Sequence, residues 1–285
     1  MDPTQRNEDQ RTRWNGQSGN AWVEAQQLLD QILQPFEDLL VAAARDLGAR
    51  RVLDVGCGTG STTVALAAAP ATSHVLGVDI SEPMIGAAQA RAAERNSPAT
   101  FLRADAQTEP FAAEFDLILS RFGVMFFNDP VRAFANLRRA ATGALRFVAW
   151  RGHEENPFMT TAERAAAGLL PDIPARIPDA PGQFGLADGE RTARILRESG
   201  WAEVTVTPIE VECTMPEEVL TWYFTTLGPL SALLPGVDEA TRARVVDTVR
   251  AAFDPFVHGT EVRYTAACWF VGASAESRAG ASHPG

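Results

Sequence analysis

Lysine is missing from this chain: all 25 basic residues are arginine, set against 36 acidic residues for a net charge of −11 over 285 residues. That absence excludes a phosphate loop of the G-x-x-x-x-G-K-[ST] type, which needs a lysine on the phosphates. The acidic balance argues against a nucleic-acid partner, because neutralising a phosphate backbone wants a basic face. Cysteine is scarce. Cys57, Cys213 and Cys268 are odd in number and scattered, so neither a disulfide framework nor a clustered metal site is expected, and no metal is assigned. A cytoplasmic setting fits reduced thiols. No apolar run approaches the roughly 20 residues that span a bilayer. The opening "MDPTQRNEDQRTRW" also lacks the basic-then-apolar pattern of a signal peptide. What is present is a chain long enough to bury its own core without staples.

Organisation follows from periodicity. Residues 1–11 and the small-residue tail "GASAESRAGASHPG", assigned no structure over 274–285, carry no apolar rhythm and read as disordered. Residues 1–48 form an N-terminal helical cap, with Trp22, Leu28, Leu29, Ile32, Leu33, Phe36, Leu39 and Leu40 at helical spacing and Pro35 expected to split the run into two helices. Residues 49–150 alternate short apolar strands near 51–55, 74–79, 99–103, 115–120 and 144–150 with helices near 60–69, 83–95 and 130–141. Such alternation implies a parallel sheet covered on both faces. Residues 151–188 are proline-rich and read as an irregular lid. Residues 189–211 continue the core with a helix at 189–199 and a strand at 203–211. Residues 212–258 are a helical insertion, and 259–273 hold the last strand.

The stretch "RVLDVGCGTGSTTVALA" places Asp54, Gly56, Cys57, Gly58 and Gly60 between a strand and a helix. A glycine turn there lets a ligand approach backbone N–H groups and a helix N-terminus. A dinucleotide site prefers G-x-G-x-x-G, whereas "GCGTG" brings the third glycine one residue early. A Tyr-x-x-x-Lys pair is absent too, so a nicotinamide oxidoreductase is disfavoured. Asp54 would repel a pyrophosphate and would suit a cation.

With those residues in place, "VLDVGCGTG" resembles the first motif of the class I S-adenosylmethionine-dependent methyltransferases, and three later stretches match in order. By that resemblance Asp79 in "LGVDIS" accepts the ribose hydroxyls, with Ile80 and Met84 against the adenine. Asp105 in "FLRADAQTEPF" accepts from the adenine amino group while Ala106 donates its backbone N–H. In "FDLILSRFGVMFF", Ser120 and Arg121 meet the methionine portion and Phe122 faces the transferred methyl. Read singly, Asp79 and Asp105 suit helix caps equally, and Met84 suits a core position. The implied fold is an α/β, Rossmann-like, doubly wound sheet of seven strands, the last antiparallel, with N-terminal helices and helical lid insertions. The implied cofactor is S-adenosylmethionine. A non-catalytic subunit that binds the cofactor and scaffolds a partner is the alternative.

The acceptor is expected to be a small, largely apolar molecule, because "SRFGVMFF" lacks the Asn/Asp-Pro-Pro-aromatic run of enzymes that methylate nucleobase amines. Its reacting atom stays open, as does the oligomeric state. Trp14, Trp22, Trp150, Phe158, Trp222 and Tyr223 are the candidate acceptor contacts, with ordinary core packing the competing reading. "WNGQSGNAW", "WRGHEENPF" and "PGQFGLAD" are similar to segments of the ubiquinone and menaquinone methyltransferases and their natural-product relatives. If a base is needed, His153 in "RGHEENPF" follows the fifth strand on the ligand edge, and His258 is second; both also suit a solvated loop.

Overall fold

Strand β1 (Arg51–Val55) buries side chains on both of its faces, which only a sheet covered from two sides allows. The computed structural model, which describes residues 7–170, 173–228 and 230–275, builds that sheet. Strands β2 (His74–Asp79), β3 (Thr100–Arg103), β4 (Phe115–Arg121), β5 (Ala141–Trp150), β6 (Ala202–Pro216) and β8 (Glu261–Ser274) join β1 in the order β3-β2-β1-β4-β5-β8-β6, and the two-residue β7 (Val257–His258) pairs with β8. Strands β1 to β5 pair in parallel, while β8 runs antiparallel to β5 and β6. The doubly wound arrangement of seven strands expected from the sequence is present, with β7 as a short addition.

Helices α1 (Glu8–Asn15), α2 (Gln17–Glu24) and α3 (Gln26–Asp46) precede the sheet. Helices α4 (Ser61–Ala67), α5 (Glu82–Glu94) and α6 (Pro130–Ala140) connect its parallel strands, and α7 (Pro157–Ala166) and α8 (Gly189–Glu198) lead to β6. Helices α9 (Leu220–Thr226), α10 (Leu230–Leu233) and α11 (Glu239–Ala252) fill the insertion before β7. Side-chain caps fix several of these starts: Ser81 accepts from Met84 N, Asp129 from Arg132 N, Asp188 from Arg191 N and Asp238 from Thr241 N. Asn128 and Asp129 form the entry to α6, with Asp129 as its cap. Among the described residues no helix is long and apolar enough to cross a membrane.

Four expectations are corrected. Pro35 does not divide a helix, because α3 runs unbroken through it. An interior proline costs about 3 kcal/mol, and the buried face of Ile32, Leu33, Phe36 and Leu40 offsets that by tertiary packing; the chain breaks at Gly16 and Ala25 instead. Residues 8–11 are helical rather than disordered, since α1 is held by polar contacts that leave no apolar period, and the start of the tail is ordered too, because residues 272–274 complete β8 and Ala275 N donates to Gly143 O; the same expectation for 1–6 and 276–285 lies outside the described residues. The 151–188 stretch is not wholly irregular, because "PFMTTAERAA" forms α7 and buries Phe158, Thr160, Thr161 and Ala166. The strand at 203–211 extends from Ala202 to Pro216.

That extension positions the site. Strand β5 ends at Trp150, opposite Cys268, yet β6 goes on pairing with β8 as far as Glu261. Residues 261–267 of β8 therefore overshoot the carboxyl edge of the parallel sheet by roughly 23 Å at 3.3 Å per residue. The ribbon rises beside the place where β1 and β4 send their connections to opposite faces, and that divergence opens a crevice.

Candidate functional site

The three glycines after β1 have three different tasks. All adopt left-handed backbone, with φ of 67° at Gly56, 54° at Gly58 and 81° at Gly60, where a side chain is strained. A Cβ on Gly56 would lie 2.7 Å from the Cα of Gly123, so the turns after β1 and β4 cross in contact. A Cβ on Gly60 would lie 2.8 Å from Ala88 Cβ and 2.9 Å from the Phe101 ring, so Gly60 lets α4 seat against its neighbours and does not line the crevice. Only Gly58 opens outward, where a Cβ would meet nothing nearer than Met84 Sδ at 3.8 Å.

A single cavity of about 350 Å³ starts at this turn. It is lined by Asp54, Gly56, Cys57, Gly58, Asp79, Ile80, Met84, Asp105, Ala106, Arg121 and Phe122, which are eleven of the thirteen residues expected at the cofactor. Ser120 is the other exception besides Gly60. Its Oγ donates to Val55 O at 2.7 Å and accepts from Gly123 N at 3.1 Å and Val124 N at 3.2 Å, so it pins the crossing of the two turns from beneath. The following residue but one, Phe122, is held at φ 62° and stacks on Trp150 at 4.6 Å.

Charge at the turn is predominantly negative. Asp54, 1% exposed, accepts from Thr63 Oγ1 at 2.6 Å, and its pKa is pushed up to about 6 by burial, with the Thr63 hydrogen bond and the charge of Arg121 acting the other way. Asp79 accepts from Gly58 N and from Ser81 N, each at 2.9 Å, yet burial still lifts its pKa above the usual carboxylate range. Arg121, whose pKa burial lowers, lies 3.6 Å from Glu37, which also accepts from Ser61 Oγ. Arg91 pairs with Asp30 at 2.6 Å. Four carboxylates (Asp30, Glu37, Asp54 and Asp79) thus surround two guanidiniums, an excess that suits a cationic guest. The Cys57 thiol is raised well above its ordinary pKa by burial and by Asp79 and Asp54, which keeps it protonated and unreactive.

One buried hydroxyl in the cavity wall, Thr62 Oγ1 beside the turn, has no hydrogen-bond partner within the protein, and buried polar groups are rarely left so.

The remaining walls are aromatic. Trp14, Trp22, Trp150, Phe158 and Tyr223 line the cavity as expected, whereas Trp222, one residue away on α9, does not. Neither histidine reaches it. His153 is exposed, with its ring 6.1 Å from Phe184, and His258 is exposed in β7 opposite Glu261. Both lie near the right edge of the sheet in sequence, yet neither is among the residues that line the cavity. No group of three His, Cys, Asp or Glu side chains among the described residues could hold a metal ion.

Sequence reasoning missed the polar roof. Asn7, Gln10, Arg13, Gln17 and Ser18 line the cavity from α1 and α2 and the residue before them. Asn7 Nδ2 donates to Asp105 Oδ2, and Asn128 Nδ2 donates to Asn7 Oδ1 at 2.9 Å. Ser81 Oγ donates to Trp14 O at 2.6 Å, and Glu82 N donates to Asn15 Oδ1 at 2.8 Å. The usable signal was Trp14 and Trp22 in a polar stretch, which meet edge-on at 5.8 Å.

Comparison with known proteins agrees with this geometry. Residues 52–142 match the model of a family described as "Methyltransferase domain". An uncharacterized protein of Mycobacterium tuberculosis is 34% identical over 126 residues, 43% of this chain and 45% of that protein, so the match spans less than half of that relative's length. A demethylmenaquinone methyltransferase of Roseiflexus sp. is 30% identical over 178 residues, covering 58% of this chain and 73% of that one. The crystal structure of magnesium protoporphyrin IX methyltransferase from Synechocystis, with bound SAH, superposes with a TM-score of 0.53 at 22% identity, over 71% of this chain and 93% of that one, and shows the shared fold.

Proposed function

This chain belongs to the class I S-adenosylmethionine-dependent methyltransferases, and we propose that it transfers the methyl group of that cofactor to a small, largely apolar acceptor of secondary-metabolite or quinone type. The observation that carries this reading is the cavity itself. It joins Asp54, Asp79, Asp105 and the unpartnered Thr62 hydroxyl at one end to an aromatic chamber at the other.

The residues present fit the cofactor. Gly58 leaves room for its amino-acid end, and the Thr62 hydroxyl is free to bond it. Asp54 and the surplus of carboxylates favour its ammonium and sulfonium charges. In this reading Asp79 accepts from the ribose hydroxyls, Ile80 and Met84 cover the adenine faces, and Asp105 with the Ala106 N–H meets the adenine edge; that all five line one cavity supports it. The bound cofactor supplies a methyl carbon already activated by its positive sulfur. The protein's part is then to align the acceptor, shield the site from water and hold charge. Trp22, Phe122, Met125, Trp150 and Phe158 form the wall that does so, and the Roseiflexus relative supports a ring-shaped acceptor. With both histidines outside the cavity lining, neither serves as the base in this reading, and the acceptor arrives as its own nucleophile.

The test is calorimetric. S-adenosylhomocysteine should bind with micromolar affinity and NADH should give no heat, after which labelled cofactor and a whole-cell metabolite extract identify the methylated product. Absence of S-adenosylhomocysteine binding would defeat the proposal. Binding without label transfer to any extract would favour the scaffold alternative.

A further inference from the structure

Asparagine is among the preferred residues for capping a helix start, yet Asn7, which stands at the N-cap of α1, makes no side-chain cap. Its side chain reaches a partner 98 residues away instead. Nδ2 donates to Asp105 Oδ2, and Oδ1 accepts from Asn128 Nδ2 at 2.9 Å. Asp105 Oδ2 also accepts from Thr108 Oγ1 at 3.4 Å, while its Oδ1 accepts from Gln107 N at 3.0 Å. With two lone pairs on each oxygen, Oδ2 is filled. Asn7 and Asp105 both line the cavity. At its other end α1 is tied to the loop after β2: Ser81 Oγ donates to Trp14 O, and the Asn15 amide bonds Ile80 O at 3.2 Å and Glu82 N at 2.8 Å. Helix α1 thus bridges the loops after β2 and β3, the two that hold the adenosine in the methyl-transfer reading. None of its residues is buried, so no core packing is lost when its first turn moves. Trp14 anchors its last turn, edge-on to Trp22 at 5.8 Å and to Phe126 at 5.1 Å.

We propose that Asn7 competes with the adenine amino group of the cofactor for Asp105, so that the first turn of α1 closes the adenine subsite in the cofactor-free chain and is displaced when the cofactor binds. The assignment rests on the methyl-transfer reading, in which Asp105 accepts from that amino group. The Asn7 amide and the adenine amino group are the same kind of donor, an NH2 on a planar carbon, and Oδ2 cannot take both beside Thr108. Displacement costs little. A released Asn7 keeps a partner, because its Oδ1 can then accept from the free N–H groups of the first turn and cap α1. Asn7 therefore has two alternative bonds, one to Asp105 and one to its own helix, and the amino group of the cofactor decides between them. What the amino group gains at Asp105 is offset by the bond it breaks, so the cofactor and its demethylated product are held less tightly than the Asp105 contact alone would give.

Calorimetry on the full chain tests the proposal with two ligands, S-adenosylhomocysteine and its analogue carrying purine in place of adenine, which lacks only the amino group. In the parent the two should bind within about threefold of each other, because the amino group replaces a bond that Asn7 already makes. Asn7→Ser, which still caps a helix and is too short to reach Asp105, should tighten S-adenosylhomocysteine about tenfold and leave the purine analogue within about twofold of its parent affinity. Asn7→Ala should do the same, and agreement of the two variants separates competition from loss of the helix start. A parent that already prefers S-adenosylhomocysteine tenfold, unchanged or weakened S-adenosylhomocysteine binding in Asn7→Ser, or an equal gain for both ligands would each overturn it. Failure of the parent to bind S-adenosylhomocysteine would instead strike the methyl-transfer reading.

Discussion

Replacing Asp54 with asparagine should make the protein more resistant to unfolding as pH rises, relative to the parent, while weakening cofactor binding. The carboxyl is buried and its pKa stands near 6 against 3.8 for an unhindered aspartate, desolvation being the main cause. Between those two values the folded chain keeps a proton that the unfolded chain has released. Stability contributed by this group is therefore lost as pH climbs from 4 to 6 and stays lost above that. A shift of two units corresponds to about 3 kcal/mol at pH 8, of which about 1 kcal/mol is already present at pH 4.5. Asparagine never ionises, so the difference in unfolding free energy, variant minus parent, should grow by about 2 kcal/mol between pH 4.5 and 8. Taking that difference removes the other titrating groups and any pH-independent cost of an unpaired amide Nδ2. Urea denaturation followed by circular dichroism reads it, and calorimetry with S-adenosylhomocysteine gives the matching loss of affinity. A difference that is flat with pH, or undiminished cofactor affinity, would refute the argument that Asp54 is kept ionised for a cation.

The parts of the molecule that sequence makes readable are those where a local demand dictates residue type. Glycine at 56, 58 and 60 answers a left-handed backbone, and runs such as "RVLDV" and "HVLGVD" answer a sheet buried on both faces, so the turn and the strands are legible from residue order alone. What cannot be read that way depends on partners distant in the chain. Gly60 and Ser120 belong to the motifs, but their neighbours, Phe101 and Val55 with Gly123, turn them from cofactor contacts into supports. Helix α1 lacks an apolar period because it is held by Asn7, Trp14 and Asn15 bonding to Asp105, Ser81 and Glu82, and such contacts leave no periodic trace. Pro35 misleads because its helix-breaking propensity is outweighed by the buried face on either side of it. The reach of β6 and β8 past β5, which brings residues such as Tyr264 into the cavity wall, is a register property and leaves no local trace.

Three further outcomes follow from the site. Asp79→Asn should weaken S-adenosylhomocysteine by about 1–3 kcal/mol in calorimetry, and unchanged affinity would remove it from the ribose. His153→Ala should leave turnover within about twofold of the parent, since the imidazole stands outside the cavity and exposed substitutions of this kind are close to neutral; a large fall would restore it as a base. Finally, Gly56→Ala and Gly58→Ala should part company although both add one methyl at positive φ. At Gly56 the new Cβ meets the Gly123 backbone at 2.7 Å, which cannot swing aside, so thermal melting should show about 2–3 kcal/mol of lost stability and the site should fail with it. At Gly58 the methyl projects into space bounded by Met84 Sδ. The cost to stability there should be only the backbone strain, about 1 kcal/mol, while S-adenosylhomocysteine affinity falls by far more, because the methyl occupies the volume the ligand needs. Equal effects of the two substitutions on both measurements would show that the turn does not divide support from contact in this way.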